Sequence, residues 1–376
     1  MHLRQLWLSD FRNHRSTALT LPPGLTVVTG ANGEGKTNLL EAIAWLATQR
    51  SFRNAANDVL IRQGAEAAVI RAELDDRGRR LLVEAAIEGE RTRFQVNRQR
   101  VRRSRDALGY VLTTVFTPDD LQVVKGGPAG RRRFLDDVAV STQPSHHELA
   151  GTFDRIVRQR NVLLRQAGGR LDSEAEATLQ VWDAQLVEAG TRLVEGRLAV
   201  LGALAPLVAH RYAQLTTVDA GVQMRYEAPW RELGLAEALA VSRRDEVRRG
   251  VTLVGPHRDD LVVILDRRPA RTHASQGEQR SLALALRLGG HALAVERNDR
   301  VPLVLLDDVF SELDEARAEA LVSILPQGQT LLTTATGNVP GGTTPDLVLE
   351  VHSGRVATVP VNRYPTSVRD APVTGE

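Results

Sequence analysis

Residues 28–43 read VTGANGEGKTNLLEAI, a glycine-rich turn carrying one lysine between an apolar run and a helical pattern. Lys36 and Lys125 are the only lysines in a chain with 48 Lys and Arg residues, so arginine is its ordinary cation and lysine at 36 needs a reason. Gly30 to Thr37 fits the spacing G-x-x-x-x-G-K-[ST], after the predicted strand in PPGLTVVTG and before a predicted helix over Asn38–Thr48, where Leu39, Leu40, Ile43 and Leu46 make an apolar stripe. Glycines at such a turn let backbone N–H groups point at phosphate oxygens, and the helix N-terminus adds a fixed positive field. The expected cradle is Gly30, Ala31, Asn32, Gly33, Glu34, Gly35, Lys36, Thr37 and Asn38. Lys36 is expected on the β- and γ-phosphates of a nucleotide and Thr37 on Mg2+. A compact ammonium on a flexible stem fits this loop; a planar guanidinium does not.

A second site stands about 270 residues downstream. VPLVLLDDVFSELD (301–314) is an apolar strand ending in two aspartates. Asp307, at the strand end, is suited to hold Mg2+ through water, and Asp308 to orient or deprotonate an attacking water. Before that strand lies ASQGEQRSLALALRL, where Ser275 and Glu278 have the spacing of a capping box. Capping accounts for the serine and the glutamate. It does not account for Gly277, which costs helix stability but would permit close approach to a phosphate.

Hydrophobic residues make up 42% and charged residues 25% of the 376, with no cysteine, which fits a globular protein of a reducing compartment and excludes disulfides and thiolate metal sites. The N-terminus MHLRQLWLSDFRNHR has no apolar core of the kind a secretory signal needs. The longest uncharged apolar run, Leu198–Ala209, is short of the roughly 20 residues of a spanning helix and contains Pro206. A cytoplasmic location is expected. Strands are expected in LRQLWLSDF and Thr17–Leu21, and an antiparallel meander in AAVIRAEL, RLLVEAAI and TRFQVN. From about residue 137 the pattern turns helical, with capping-box spacings at Ser145/Glu148 and Ser173/Glu176. Leu179, Leu186, Leu193, Val200 and Leu207 recur every seven residues, a coiled-coil-like seam that Pro206 should kink or end. Strands return with TLVG, LVVILD and VPLVLL. The expected division is a sheet-based head over 1–136 and 246–362, a helical lobe over 137–245, and a disordered tail from 363.

Ser275-Gln276-Gly277-Glu278-Gln279 resembles the signature motif of ABC-type ATPases, and Ser311-Glu-Leu-Asp314 resembles their D-loop. LSDFRNH (8–14), GANGEGKTNLLEAI, RSFR (50–53), FTPDDLQVVKGGPAGRRRFLD (116–136), GPHRDDL (255–261) and LLDDVFSELD together resemble the RecF family, an SMC-like branch of that class, in order along most of the chain. The resemblance implies an α/β fold: an ABC-type ATPase head, with a P-loop mixed sheet and an antiparallel meander, and an inserted helical lobe. It implies a weak, DNA-stimulated ATPase in which the signature of one copy closes over the γ-phosphate held by the other, so that Ser275 joins Lys36, Asp307 and Asp308 in catalysis. Thr37 and Asp307 are then the metal ligands, and Arg12 and Asn13 lie near the nucleotide. Implied partners are DNA, a second copy of the chain, RecR and RecO, and through them RecA, in recombinational repair, replication restart and the SOS response. Two departures point to slow turnover: the catalytic glutamate of the class is Asp308 here, and LLTTATGN carries no histidine after its strand.

The net charge of +2 offers little whole-molecule attraction to DNA, so local clusters matter: Arg98, Arg100, Arg102, Arg103 and Arg105, and Arg131, Arg132 and Arg133. Aromatic content of 4% disfavours a base-stacking platform. Backbone contacts to duplex or a duplex–single-strand junction fit better, with steep salt dependence. Each cluster reads equally as a solvated face, and Lys125 has no spacing that gives it a role. A soluble transporter ATPase subunit and a P-loop small-molecule kinase remain alternatives from the sequence.

Overall fold

The computed structural model describes residues 1–89, 91–216, 221–325, 328–335 and 344–361, apart from the side chains of 104, 105, 312 and 315. The tail expected from 363 lies outside these residues. Contacts divide the chain into two compact units: Met1–Asp120 with Gln214–Thr217 and Ala294–Glu376, and Leu121–Ala213 with Val218–Leu293. These bounds differ from the expected division, because 121–136 and 246–293 pack with the helices.

The first unit holds two sheets. One is the antiparallel sheet β2 (His14–Thr20), β1 (His2–Phe11), β4 (Ala68–Asp76), β5 (Arg79–Glu88), β6 (Arg91–Val96), β7 (Gln99–Arg100), in that order. β4, β5 and β6 form the meander that their alternating pattern predicts, with Ile70 opposite Ala85 and Ala85 opposite Phe94 on the buried face. The other sheet runs β15 (Arg355–Val359), β14 (Leu347–His352), β3 (Leu25–Thr29), β13 (Thr330–Thr334), β12 (Leu303–Asp307), β8 (Thr113–Phe116). Its strands are parallel except β15 at the edge. β12 and β13 are buried along their whole length, which suits parallel strands covered on both faces.

The helix Lys36–Thr48 contacts strands of both sheets. That explains why it is buried nearly all round, Ala42, Ala44 and Trp45 included, and not only along the stripe its spacing predicts. Trp45 stacks on Phe94 with centroids 5.6 Å apart and planes 3° from parallel. Gln329 joins the two sheets: its amide accepts from the Leu3 N–H at 2.7 Å and donates to the Leu3 carbonyl at 2.8 Å, beside an irregularity in the β1–β4 register.

The second unit is mainly helical, with a small sheet β11 (Arg268–Pro269), β10 (Asp260–Leu265), β9 (Val222–Glu227). β9 falls inside the stretch expected to be helical, and TLVG is not a strand. The helix Ser173–Leu215 runs through Pro206. Its buried stripe follows Leu179, Leu186 and Leu193, then shifts to Leu201, Leu204, Val208 and Tyr212, as a straight helix drifts against a heptad repeat. Asp172 caps it, accepting from the Ala175 N–H at 2.8 Å, one residue before the expected Ser173. Ser145 likewise follows its cap position, Pro144, which makes no side-chain cap bond. By length and composition alone this 43-residue helix could cross a membrane. Its Arg197 is buried and paired with Asp136 at 2.7 Å.

Candidate nucleotide site

Between β3 and the helix Lys36–Thr48 the chain turns through Gly30, Gly33 and Gly35 at φ 142°, 86° and 116°, conformations that side chains oppose. A Cβ at Gly35 would stand 2.6 Å from the Asn13 side chain, and one at Gly30 would run into the Val351 carbonyl. Lys36 is 7% exposed, and its Nζ donates to the carbonyls of Gly30 at 2.6 Å and Ala31 at 3.0 Å. Burial draws the ammonium below the usual lysine pKa, against the opposing pull of Asp308, Asp307 and Glu34.

Two motifs 270 positions apart meet at Thr37, whose Oγ1 donates to Asp307 Oδ1 at 2.8 Å. Thr333, on β13, donates to the same oxygen at 2.9 Å and accepts from the Asp308 N–H at 2.9 Å. Burial raises the pKa of Asp307, and the two threonine hydroxyls oppose the rise. Asp308 has a left-handed backbone at φ 51°, beside that Thr333 bond. No sequence motif marks Thr333, which stands on β13, the strand within LLTTATGN.

The turn between β1 and β2 braces the loop. Asn13 Nδ2 donates to the Glu34 carbonyl at 2.8 Å, and Asn38 Nδ2 donates to Asn13 Oδ1 at 2.9 Å. His14, fully buried and lowered in pKa by burial, pairs Nε2 with the Gly35 carbonyl at 3.0 Å. A neutral ring donates there, so Nδ1 accepts from Thr17 Oγ1 at 3.1 Å. Arg12, expected near the nucleotide, makes a two-pronged pair with fully buried Glu41, both bonds 2.8 Å, and Ser51 donates to the same carboxylate. Its guanidinium therefore anchors the helix. Arg53 donates to Asn38 Oδ1 at 3.1 Å and also lowers the Asp307 pKa.

The residues present fit a magnesium nucleotide. The Thr37–Asp307 pair offers two hard oxygens, and no group of three His, Asp or Glu side chains suited to a metal ion occurs among the described residues. A cation completed by phosphate oxygens and water matches that donor set.

In the second unit Ser275 and Glu278 make the capping box: the Ser275 N–H donates to Glu278 Oε2 at 2.6 Å, and the Glu278 N–H to Ser275 Oγ at 3.3 Å. Gln276 and Gly277 open the helix Gln276–Asn298, and Gln279 turns back to the carbonyls of Ala270, Arg271 and Ala274. Arg131 corrects an expectation. It is 4% exposed and bonds Asp260 through Nε at 2.7 Å and Nη2 at 2.8 Å, so it has no free face for DNA. Arg132 is partly buried and donates to the Asp259 carbonyl, while Arg133 is exposed. In the first unit Arg98, Arg100, Arg102 and Arg103 are exposed, and the side chain of Arg105 lies outside the described residues.

In GPHRDDL, buried Asp259 accepts from Tyr226 at 2.8 Å and Trp230 at 2.7 Å, and burial brings the His257 pKa down to about 4, while Arg258 is exposed. Lys125 is exposed and gains no role.

Residues 2–338 match the model of the RecF/RecN/SMC N-terminal domain. The chain is 44% identical over 354 residues to the DNA replication and repair protein RecF of Frankia alni, covering 89% of this chain and 93% of that protein. The chain belongs to the RecF family. RecF of Streptomyces avermitilis is 42% identical, with 91% and 95% covered. Among solved structures, the recombination mediator protein RecF with ATP, of the RecFOR pathway, superposes with a TM-score of 0.86 at 26% identity, covering 96% of this chain and 98% of that one. An Smc head domain from Pyrococcus furiosus shares the fold, with a TM-score of 0.52 at 15% identity, 96% of this chain and 97% of that one being covered. RecF membership makes this a DNA replication and repair protein with a P-loop ATPase core. It sets aside the transporter and kinase readings.

Proposed function

We propose that this RecF-family chain binds ATP with Mg2+ through the backbone amides of the 30–38 loop and the side chains of Lys36 and Thr37, and that two copies close around the nucleotides to clamp DNA. The observation that carries the reading is the 2.8 Å bond from Thr37 to Asp307, which puts a phosphate-binding turn and an acidic strand end at one point. Mg2+, when bound, neutralises phosphate charge. Lys36 would exchange its carbonyl partners for phosphate oxygens, Thr37 and Asp307 would hold the cation, and Asp308 would orient water. Asn13 and Asn38 steady the loop. Ser275–Gln279 of one copy complete the site of the other, the capping box leaving the helix N-terminus aimed at phosphate.

An aspartate at 308, one methylene shorter than the usual glutamate, makes hydrolysis slow, so that nucleotide state acts as a switch. Exposed arginines contact duplex or a gap junction through the backbone. RecR and RecO are the partners through which the clamp promotes RecA loading and SOS induction, in the cytoplasm.

Turnover measured with and without gapped duplex tests this. Slow hydrolysis raised by DNA and abolished by Asp308→Asn, with ATP binding retained, is expected. Turnover at the rate of a fast motor, or full activity in Asp308→Asn, would contradict it.

A further inference from the structure

Glu34 lies inside the phosphate-binding loop, yet its bonds run to another element. Its carboxylate accepts from the Ser353 N–H and lies 3.4 Å from His352 Nδ1. Its carbonyl accepts from the Gly354 N–H at 2.9 Å and from Asn13 Nδ2 at 2.8 Å. Ser353 and Gly354 form the two-residue turn between β14 and β15, at φ 49° and 74°, the left-handed pair a tight hairpin needs. Gly354 is required twice over: by that φ, and because a Cβ there would collide with the Asn13 carbonyl. The same hairpin supplies the Val351 carbonyl against which Gly30 packs.

We propose that the β14–β15 turn is a strut for the phosphate-binding loop and that Glu34 is its positioning residue, not a nucleotide ligand. The loop's middle is then fixed from two sides, by Asn13 on one turn and by residues 353–354 on the other. Loop amides held in this way are aimed before ligand arrives, which lowers the ordering cost of binding. The consequence for affinity rests on the nucleotide reading above; the strut does not.

The test uses the full chain, wild type, Glu34→Ala, Glu34→Gln and Gly354→Ala. Amide hydrogen exchange over residues 30–36 is followed without nucleotide, and ATP and ADP affinities are measured by equilibrium binding. Glu34→Ala and Gly354→Ala should each speed exchange by about tenfold and weaken ATP and ADP by the same factor, as loss of a charge-assisted bond implies. Glu34→Gln, whose amide oxygen still accepts from Ser353, should stay within about twofold of wild type. Unchanged exchange in Glu34→Ala overturns the strut. So does weakened binding in Glu34→Gln at wild-type exchange, since charge at the nucleotide would then be what matters. If wild type binds no ATP but exchange follows the predicted order, the strut stands and the nucleotide reading fails.

Discussion

Lys36 makes two carbonyl contacts inside its own loop, so its ammonium is poised and its burial is compensated. Lys36→Arg keeps the charge but not the fit, and we expect ATP affinity to fall about tenfold or more at wild-type thermal stability. Asp307 gives the opposite kind of test. Burial raises its pKa in the folded state, so the ionised form costs stability above that pKa and the cost fades as pH falls through it. Asp307→Asn should therefore melt higher than wild type at pH 7, and the gap should close toward acidic pH while ATP hydrolysis is lost. The meeting of Thr37 with Asp307 was legible in the sequence because phosphate chemistry dictates residue type and spacing at both motifs. The partners of Arg12 and Glu34 were not, because a local pattern does not reveal that Glu41 or the Ser353 N–H is a neighbour.

At the scale of elements, the second unit depends on a buried ion network. Arg160, fully buried in the helix Ser145–Gln166, bonds Glu246 at 2.6 Å, Asp183 at 2.7 Å and Thr252 at 2.9 Å. Glu246, on the helix Leu235–Arg249, is also fully buried. Arg160→Ala leaves that carboxylate without its main partner and should cost about 3–5 kcal/mol in urea unfolding. The meander was readable because period-two alternation is a local signal. β9 was missed although VQMRYE alternates apolar and polar residues, because this six-residue alternation lies between two long helical stretches; it pairs with β10. Pro206 did not stop its helix: one missing N–H is outweighed by the packing of Leu201, Leu204 and Val208 on either side.

For the whole molecule, a net charge of +2 means that DNA affinity must come from particular arginines. If Arg98, Arg100, Arg102 and Arg103 meet phosphate, replacing all four by Gln should weaken duplex binding and flatten its salt dependence by about three to four units of log–log slope. Arg131→Ala should lower stability instead, since its guanidinium is bonded to Asp260. Sequence alone could not separate these clusters, because burial is decided by the tertiary fold and both read as runs of arginine.

The central claim is a clamp made of two copies around ATP, and sedimentation tests it most directly. The Asp308→Asn chain, blocked in hydrolysis, is run with ADP, with ATP, and with ATP plus gapped duplex, beside the same chain carrying Ser275→Arg. The account predicts dimers with ATP only, co-sedimentation of DNA with the dimer, and monomers throughout when Ser275→Arg is present. A chain that stays monomeric with ATP and ignores DNA would contradict it, leaving Ser275 as a helix cap and nothing more.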